Sequence, residues 1–173
     1  AIVCLLNARA EDPANAEVYA ALADAYAKQK SVTVAIDNYR KALKLDSTLV
    51  QVHYDLGKLL YRERRFNEAL LEFRSAARLN PQFPEACFEI GSLCCEGRRY
   101  DEGVAQLQRY LQFHPESLKA TALLARVLYS IRQPEKALEY GESAARIDSS
   151  NVEMNRLLTR IYFETKNHAK AVE

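Results

Sequence analysis

The chain has 173 residues, of which 49% are apolar and 27% are charged. This mixture is typical of a folded domain with a sizeable core and excludes an intrinsically disordered chain. The formal net charge is +1, so no global field indicates a nucleic acid or an anionic membrane as partner. No apolar run approaches the roughly 20 residues of a membrane-spanning helix. Four cysteines without a CxxC pair favour a reducing compartment, and we expect a cytoplasmic location.

The predicted elements are helices that recur every 34 residues. Residues 1–15 are predicted to hold the second helix of an earlier, partial repeat. Four full repeats, each a helix pair, follow at 16–49, 50–83, 84–117 and 118–151, and residues 152–173 are predicted to hold a further first helix and the start of a second. One column of the repeat holds Leu22, Leu56, Ile90, Leu124 and Leu158, and a column of small residues holds Ala35, Ala69, Gly103 and Ala137. No insertion breaks the register, so we expect residues 1–173 to form one repeat domain.

Each repeat contains two apolar stripes with helical spacing. In residues 50–83 the first stripe holds Val52, Leu56, Leu59 and Leu60, and the second begins at Ala69. Two helices approach closely only where side chains are small, which explains the small-residue columns. A single helix pair cannot bury its apolar face alone, so neighbouring pairs must stack.

The starts of several helices are marked by capping residues. Asn67 and Asp101 are expected to be N-caps of the second helices in their repeats. Pro84 and Pro134 suit the first turn of a helix, where a missing N–H costs nothing.

The columns resemble those of the tetratricopeptide repeat (TPR) family over the whole chain. The second full repeat matches the family at Leu56, Gly57, Leu60, Ala69, Phe73, Ala76 and Pro81. The resemblance implies an all-α fold, a right-handed superhelical solenoid of antiparallel helix pairs with partial repeats at both ends. It also implies that the first helix of each pair lines a concave groove and that the ligands are peptides or proteins.

The resemblance further implies which side chains face the groove. They are Tyr54, Lys58, Tyr61, Arg62, Phe88, Cys95, Lys119, Arg126, Tyr129, Arg156, Arg160 and Phe163. Exposed aromatic rings are enriched at binding hot spots, and rings beside Lys and Arg suit a peptide with apolar anchors and some acidic groups. The alternative is that these rings only pack against the neighbouring helix.

We therefore expect a protein–protein interaction scaffold or adaptor for complex assembly, which binds a peptide or protein segment in its concave groove. One alternative is a homo-oligomer that assembles through the open ends of the solenoid. Another alternative is the recruitment domain of a larger enzyme or complex.

Catalysis, metal binding and nucleic-acid binding are not expected. None of His53, His114 and His168 pairs with a carboxylate or a cysteine at helical spacing, and no HExxH, GxSxG or Gly-rich phosphate loop occurs. No spaced ligand set indicates a metal, and no cofactor is expected. A basic column of the repeat holds Lys30, Arg64, Arg98, Arg132 and Lys166. We interpret these cations as stabilising helix ends rather than binding phosphates.

Overall fold

The computed structural model describes residues 2–165, which form ten α-helices and no strand. The helices are α1 (Ile2–Glu11), α2 (Ala16–Lys28), α3 (Val32–Leu45), α4 (Val50–Arg62), α5 (Phe66–Leu79), α6 (Pro84–Glu96), α7 (Tyr100–Phe113), α8 (Leu118–Ser130), α9 (Pro134–Ile147) and α10 (Val152–Glu164). The prediction of an all-α fold is confirmed. The start of a further helix, predicted within residues 166–173, lies outside the described residues.

The contacts divide the chain into two compact units, residues 1–86 and 87–173. In the first unit the core is built around Phe73, which has 0% of its surface exposed. The ring lies against Gly57, where an added Cβ would be 2.7 Å from Phe73 Cε1. The absence of a side chain at Gly57 therefore allows α5 to bring its ring against α4.

The second unit repeats this arrangement with different side chains. Leu107 of α7 lies against Gly91 of α6, where an added Cβ would be 2.7 Å from Leu107 Cγ. On the facing side, a Cβ at Gly103 would overlap Cys95 Sγ. The two glycines, which lie on facing helices, therefore allow α6 and α7 to pack closely. This close contact fixes the position of α6 against α7.

The turn within each helix pair contains one residue with left-handed backbone. Lys30, Arg64, Arg98 and Arg132 have φ values between 59° and 61°. At such a turn three residues connect the two helices. In the turn between α4 and α5, the Arg64 N–H donates to the Tyr61 carbonyl at 3.0 Å, and the Arg65 N–H donates to the Leu60 carbonyl at 2.9 Å. These bonds satisfy carbonyls at the end of the first helix.

The prediction that Asn67 and Asp101 are N-caps is wrong, because the turn is short and the second helices begin before these residues. Helices α5 and α7 begin at Phe66 and Tyr100, so both residues lie inside the first helical turn. Side-chain caps occur instead before first helices, where Asn15, Ser117 and Asn151 accept hydrogen bonds from backbone N–H groups. Pro84 and Pro134 are the first residues of α6 and α9, as predicted.

Among residues 2–165, no helix combines the length and the apolar character needed to cross a bilayer.

Candidate partner-binding groove

A groove of about 780 Å³ lies within the second unit, between the first helices of three successive repeats. Helices α6, α8 and α10 contribute its walls, and the N-cap Asn151 lies at its margin. Six of the residues predicted for a partner-binding groove line it: Phe88, Cys95, Lys119, Arg126, Arg156 and Arg160.

The floor of this groove is apolar. It contains Phe88, Ala122, Leu123, Met154 and Leu157. The Phe88 ring packs against Tyr110 of α7, whose ring centroid lies 5.1 Å away. A groove with this floor can bury apolar side chains of a ligand.

Leu123 and Leu157 were not predicted as groove residues. They occupy one column of the repeat, in which the earlier residues are Ala21, Asp55 and Glu89. The change from Asp55 and Glu89 to leucine at the last two positions of this column was the available signal. Apolar periodicity assigns such a leucine to the core, and both leucines do pack partly against core clusters of this unit.

Four cations also line the groove: Lys119, Arg126, Arg156 and Arg160. Within residues 2–165, none of them forms an ion pair with a carboxylate. Two acidic residues, Glu96 and Glu153, also line the groove. The lining therefore carries more positive than negative charge and suits an acidic ligand.

Cys95 lines the groove but is almost fully buried. Only 8% of its surface is exposed, and its sulfur lies against Gly103 of α7. Burial raises the pKa of the Cys95 thiol to about 11. The thiol is therefore protonated at neutral pH and acts as a packing group.

Tyr129 and Phe163, two further predicted groove residues, do not line this groove. The Tyr129 hydroxyl donates a hydrogen bond to Glu164 Oε1 at 2.8 Å, which ties α8 to α10. This bond raises the pKa of Tyr129. Phe163 is 53% exposed.

In the first unit, the predicted residues of α4 make local contacts. The Tyr54 ring lies 5.7 Å from the Phe73 centroid and 5.0 Å from the Phe83 centroid, as expected for a packing aromatic. Lys58 Nζ lies 4.9 Å from the Tyr54 centroid and 3.2 Å from Asp55 Oδ1.

The remaining pair on α4 lies nearer its C-terminal end. The Tyr61 ring lies 5.5 Å from the Phe66 centroid, and Arg62 is exposed. Neither Tyr61 nor Arg62 lines the groove between α6, α8 and α10.

One titratable pair was missed by sequence reasoning. His53 Nδ1 lies 2.6 Å from Glu72 Oε2, and His53 Nε2 lies 3.2 Å from the Ser47 carbonyl. Hydrogen bonding to Glu72 raises the pKa of His53. The partners are 19 residues apart on two helices, so helical spacing could not reveal them. His168 lies outside the described residues.

The basic column lies at the turns within the helix pairs. Lys30, Arg64, Arg98 and Arg132 are exposed at the left-handed positions, and Lys166 lies outside the described residues. A stabilising role at helix ends stays a prediction for these cations. Among residues 2–165, no group of three or more His, Cys, Asp or Glu side chains is arranged to hold a metal ion.

Comparison with protein-family models decides the family. A model described as tetratricopeptide repeat matches residues 54–117 and 95–152, and a model described as TPR repeat matches residues 31–63. The chain belongs to the tetratricopeptide repeat family. No curated protein matches its sequence.

Solved structures confirm the TPR solenoid as the fold class. YrrB, described as a TPR protein with an unusual peptide-binding site, has a TM-score of 0.89 at 20% identity, covering 99% of this chain and 88% of YrrB. MamA from Desulfovibrio magneticus RS-1 has a TM-score of 0.79 at 18% identity, covering 91% and 89%. Pseudomonas aeruginosa PilF has a TM-score of 0.78 at 24% identity, covering 98% and 78%. At these identities the similarity establishes the fold alone.

Proposed function

We propose that this TPR protein is an interaction scaffold whose groove between α6, α8 and α10 binds a peptide or protein segment. The ligand carries apolar side chains and acidic groups. The observation that carries the proposal is the combination of an apolar floor with four cations that have no ion-pair partner within residues 2–165. The peptide-binding site named for YrrB adds support from a protein of the same fold.

The chemistry of the groove favours a segment over a small metabolite. Its floor and walls come from three successive first helices, so a ligand that fills it must extend across all three. Leu123, Met154 and Leu157 can bury apolar side chains, while the cations at the margin can pair with carboxylates. Electrostatic pairing at the margin then sets the register of the bound segment.

The proposal is tested with peptides selected on the intact chain from a random display library. We expect the selected peptides to combine apolar residues with Asp or Glu. The double variant Arg126→Gln and Arg160→Gln should weaken their binding about tenfold, because both guanidinium groups are exposed and an ion pair at an exposed site is worth up to about 1 kcal/mol. Fluorescence anisotropy measures the affinity, and circular dichroism checks that the helix content is unchanged.

The matched control is the double variant Lys136→Gln and Arg146→Gln. Both cations are exposed on α9, outside the groove lining. It removes the same charge and should change affinity by less than about twofold. Peptides that bind the groove variant and the wild type equally well would reject the groove as the binding site.

A further inference from the structure

Three arginines, Arg126, Arg156 and Arg160, line the groove and are together called the arginine cluster. Arg156 and Arg160 are four residues apart on α10, so they lie side by side on one face of the helix. Like charges at this spacing repel each other. Arg126 of α8 lines the same groove. Within residues 2–165 no carboxylate forms an ion pair with any of the three.

The acidic groups near the cluster do not cancel its charge. Glu153 lines the groove one turn before Arg156, and Glu96 lines it from α6. Glu164, one turn after Arg160, accepts the hydrogen bond of the Tyr129 hydroxyl at 2.8 Å. Counting Lys119, the lining holds four cations and two carboxylates, which leaves two positive charges for a ligand to balance.

The number and type of these cations favour a dianion over a single carboxylate. One guanidinium can satisfy both oxygens of a carboxylate through its two parallel N–H donors. Such a ligand would leave the other arginines of this groove without a partner. A phosphoryl group on a side chain carries a charge of about −1.5 to −2 at pH 7 and offers three acceptor oxygens, which matches the charge and the donors of the cluster.

We propose that the groove recognises a phosphorylated serine or threonine of its partner, with an apolar residue beside it. Arg126, Arg156 and Arg160 hold the phosphoryl group. The adjacent floor of Leu123, Met154 and Leu157 takes the apolar neighbour. This inference rests on the proposed function and names the anionic group that the same groove selects.

The test uses three blocked pentapeptides that differ only at the central residue, which is phosphoserine, glutamate or serine between flanking leucines. Inorganic phosphate is the fourth probe and distinguishes a phosphorylated side chain from free phosphate. Each is titrated into the intact chain at pH 7.5 and followed by NMR. We expect the phosphoserine peptide to bind at least tenfold more tightly than the glutamate peptide. Inorganic phosphate should bind more weakly than the phosphoserine peptide, because it cannot use the apolar floor.

Two further measurements separate recognition from general charge attraction. The double variant Arg156→Gln and Arg160→Gln should abolish the preference for phosphoserine over glutamate, whereas the α9 variant Lys136→Gln and Arg146→Gln should keep it. The ratio of the affinities for the phosphoserine and glutamate peptides should also fall when the pH is lowered from 7.5 to 5, because the second pKa of a phosphoryl group is about 6.

Equal affinity for the phosphoserine and glutamate peptides would overturn the inference, as would equal affinity for inorganic phosphate and the phosphoserine peptide. If peptides from the display library still required Arg126 and Arg160 in that case, the proposed function would stand without its phosphate preference. If neither set of ligands responded to the groove variants, both proposals would fail.

Discussion

At the scale of single residues, the turns within the helix pairs show how the sequence departs from local preference. Glycine adopts left-handed backbone at no steric cost, whereas other residues pay about 1 kcal/mol or more. The described residues at these positions are Lys30, Arg64, Arg98 and Arg132. Gly97 lies directly before Arg98 and does not have positive φ. Each of these turns therefore has a lysine or arginine at a position where glycine would be less strained.

The pair formed by His53 and Glu72 predicts a specific pH dependence of stability. Hydrogen bonding to Glu72 raises the pKa of His53 in the folded chain above its unfolded value of about 6.5. The stabilisation is therefore fully present below about pH 6.5 and is lost as the pH rises through the folded pKa. Relative to the wild type, His53→Gln should lower the free energy of unfolding by on the order of 1 kcal/mol more at pH 5.5 than at pH 8.5.

Chemical denaturation at the two pH values measures this difference. Glu72→Gln serves as the matched variant, because it removes the other partner of the same contact. Each single variant should reproduce most of the effect of the double variant, as expected for two residues in contact. An equal loss of stability at pH 5.5 and pH 8.5 would contradict the assignment.

At the scale of elements, the close contact between α6 and α7 decides the position of the face that lines the groove. A methyl group at Gly103 would overlap Cys95 Sγ and would lie 3.1 Å from the backbone nitrogen of Cys95 and from the Gly91 carbonyl. The backbone atoms cannot move aside without separating the two helices. Gly103→Ala should therefore lower the free energy of unfolding by about 1–3 kcal/mol, the usual cost of overpacking.

Gly97→Ala is the control for the contact between α6 and α7. Its added Cβ would lie 3.3 Å from the Leu93 carbonyl and would meet no atom of α7 among its nearest neighbours. We expect a change within about 0.5 kcal/mol, measured by the same denaturation experiment. An unchanged free energy of unfolding for Gly103→Ala would contradict this prediction, because it would mean that α6 and α7 can move apart at Gly103 without loss of stability.

At the scale of the whole molecule, the near-neutral net charge hides a local imbalance. The formal net charge is +1, yet the groove lining holds four cations and two carboxylates. Binding of acidic peptides selected on this protein should weaken about tenfold between 50 mM and 500 mM NaCl, because salt screens exposed charges beyond a Debye length of about 10 Å at 0.1 M. Anisotropy titrations at several salt concentrations measure this slope.

The groove variant Arg126→Gln and Arg160→Gln should flatten the dependence on salt, while the α9 control variant should keep the slope of the wild type. An affinity of the wild type that is independent of salt would mean that apolar contacts alone hold the peptide. Assembly through the ends of the repeat array stays a prediction, and light scattering over a range of concentrations tests it.

The sequence was sufficient for the repeat period, the helix pairs and the fold class, because the columns of Leu22 and Ala35 recur at a fixed spacing and helical periodicity is a local property. It also selected the cations Lys119, Arg126, Arg156 and Arg160. The tertiary structure was needed to show which of them share one groove and lack an ion-pair partner within residues 2–165. It also separated Tyr129 from the groove and joined His53 to Glu72. Contacts of this kind join residues that are far apart in the chain, and they depend on which helix faces another, so spacing along one helix cannot predict them.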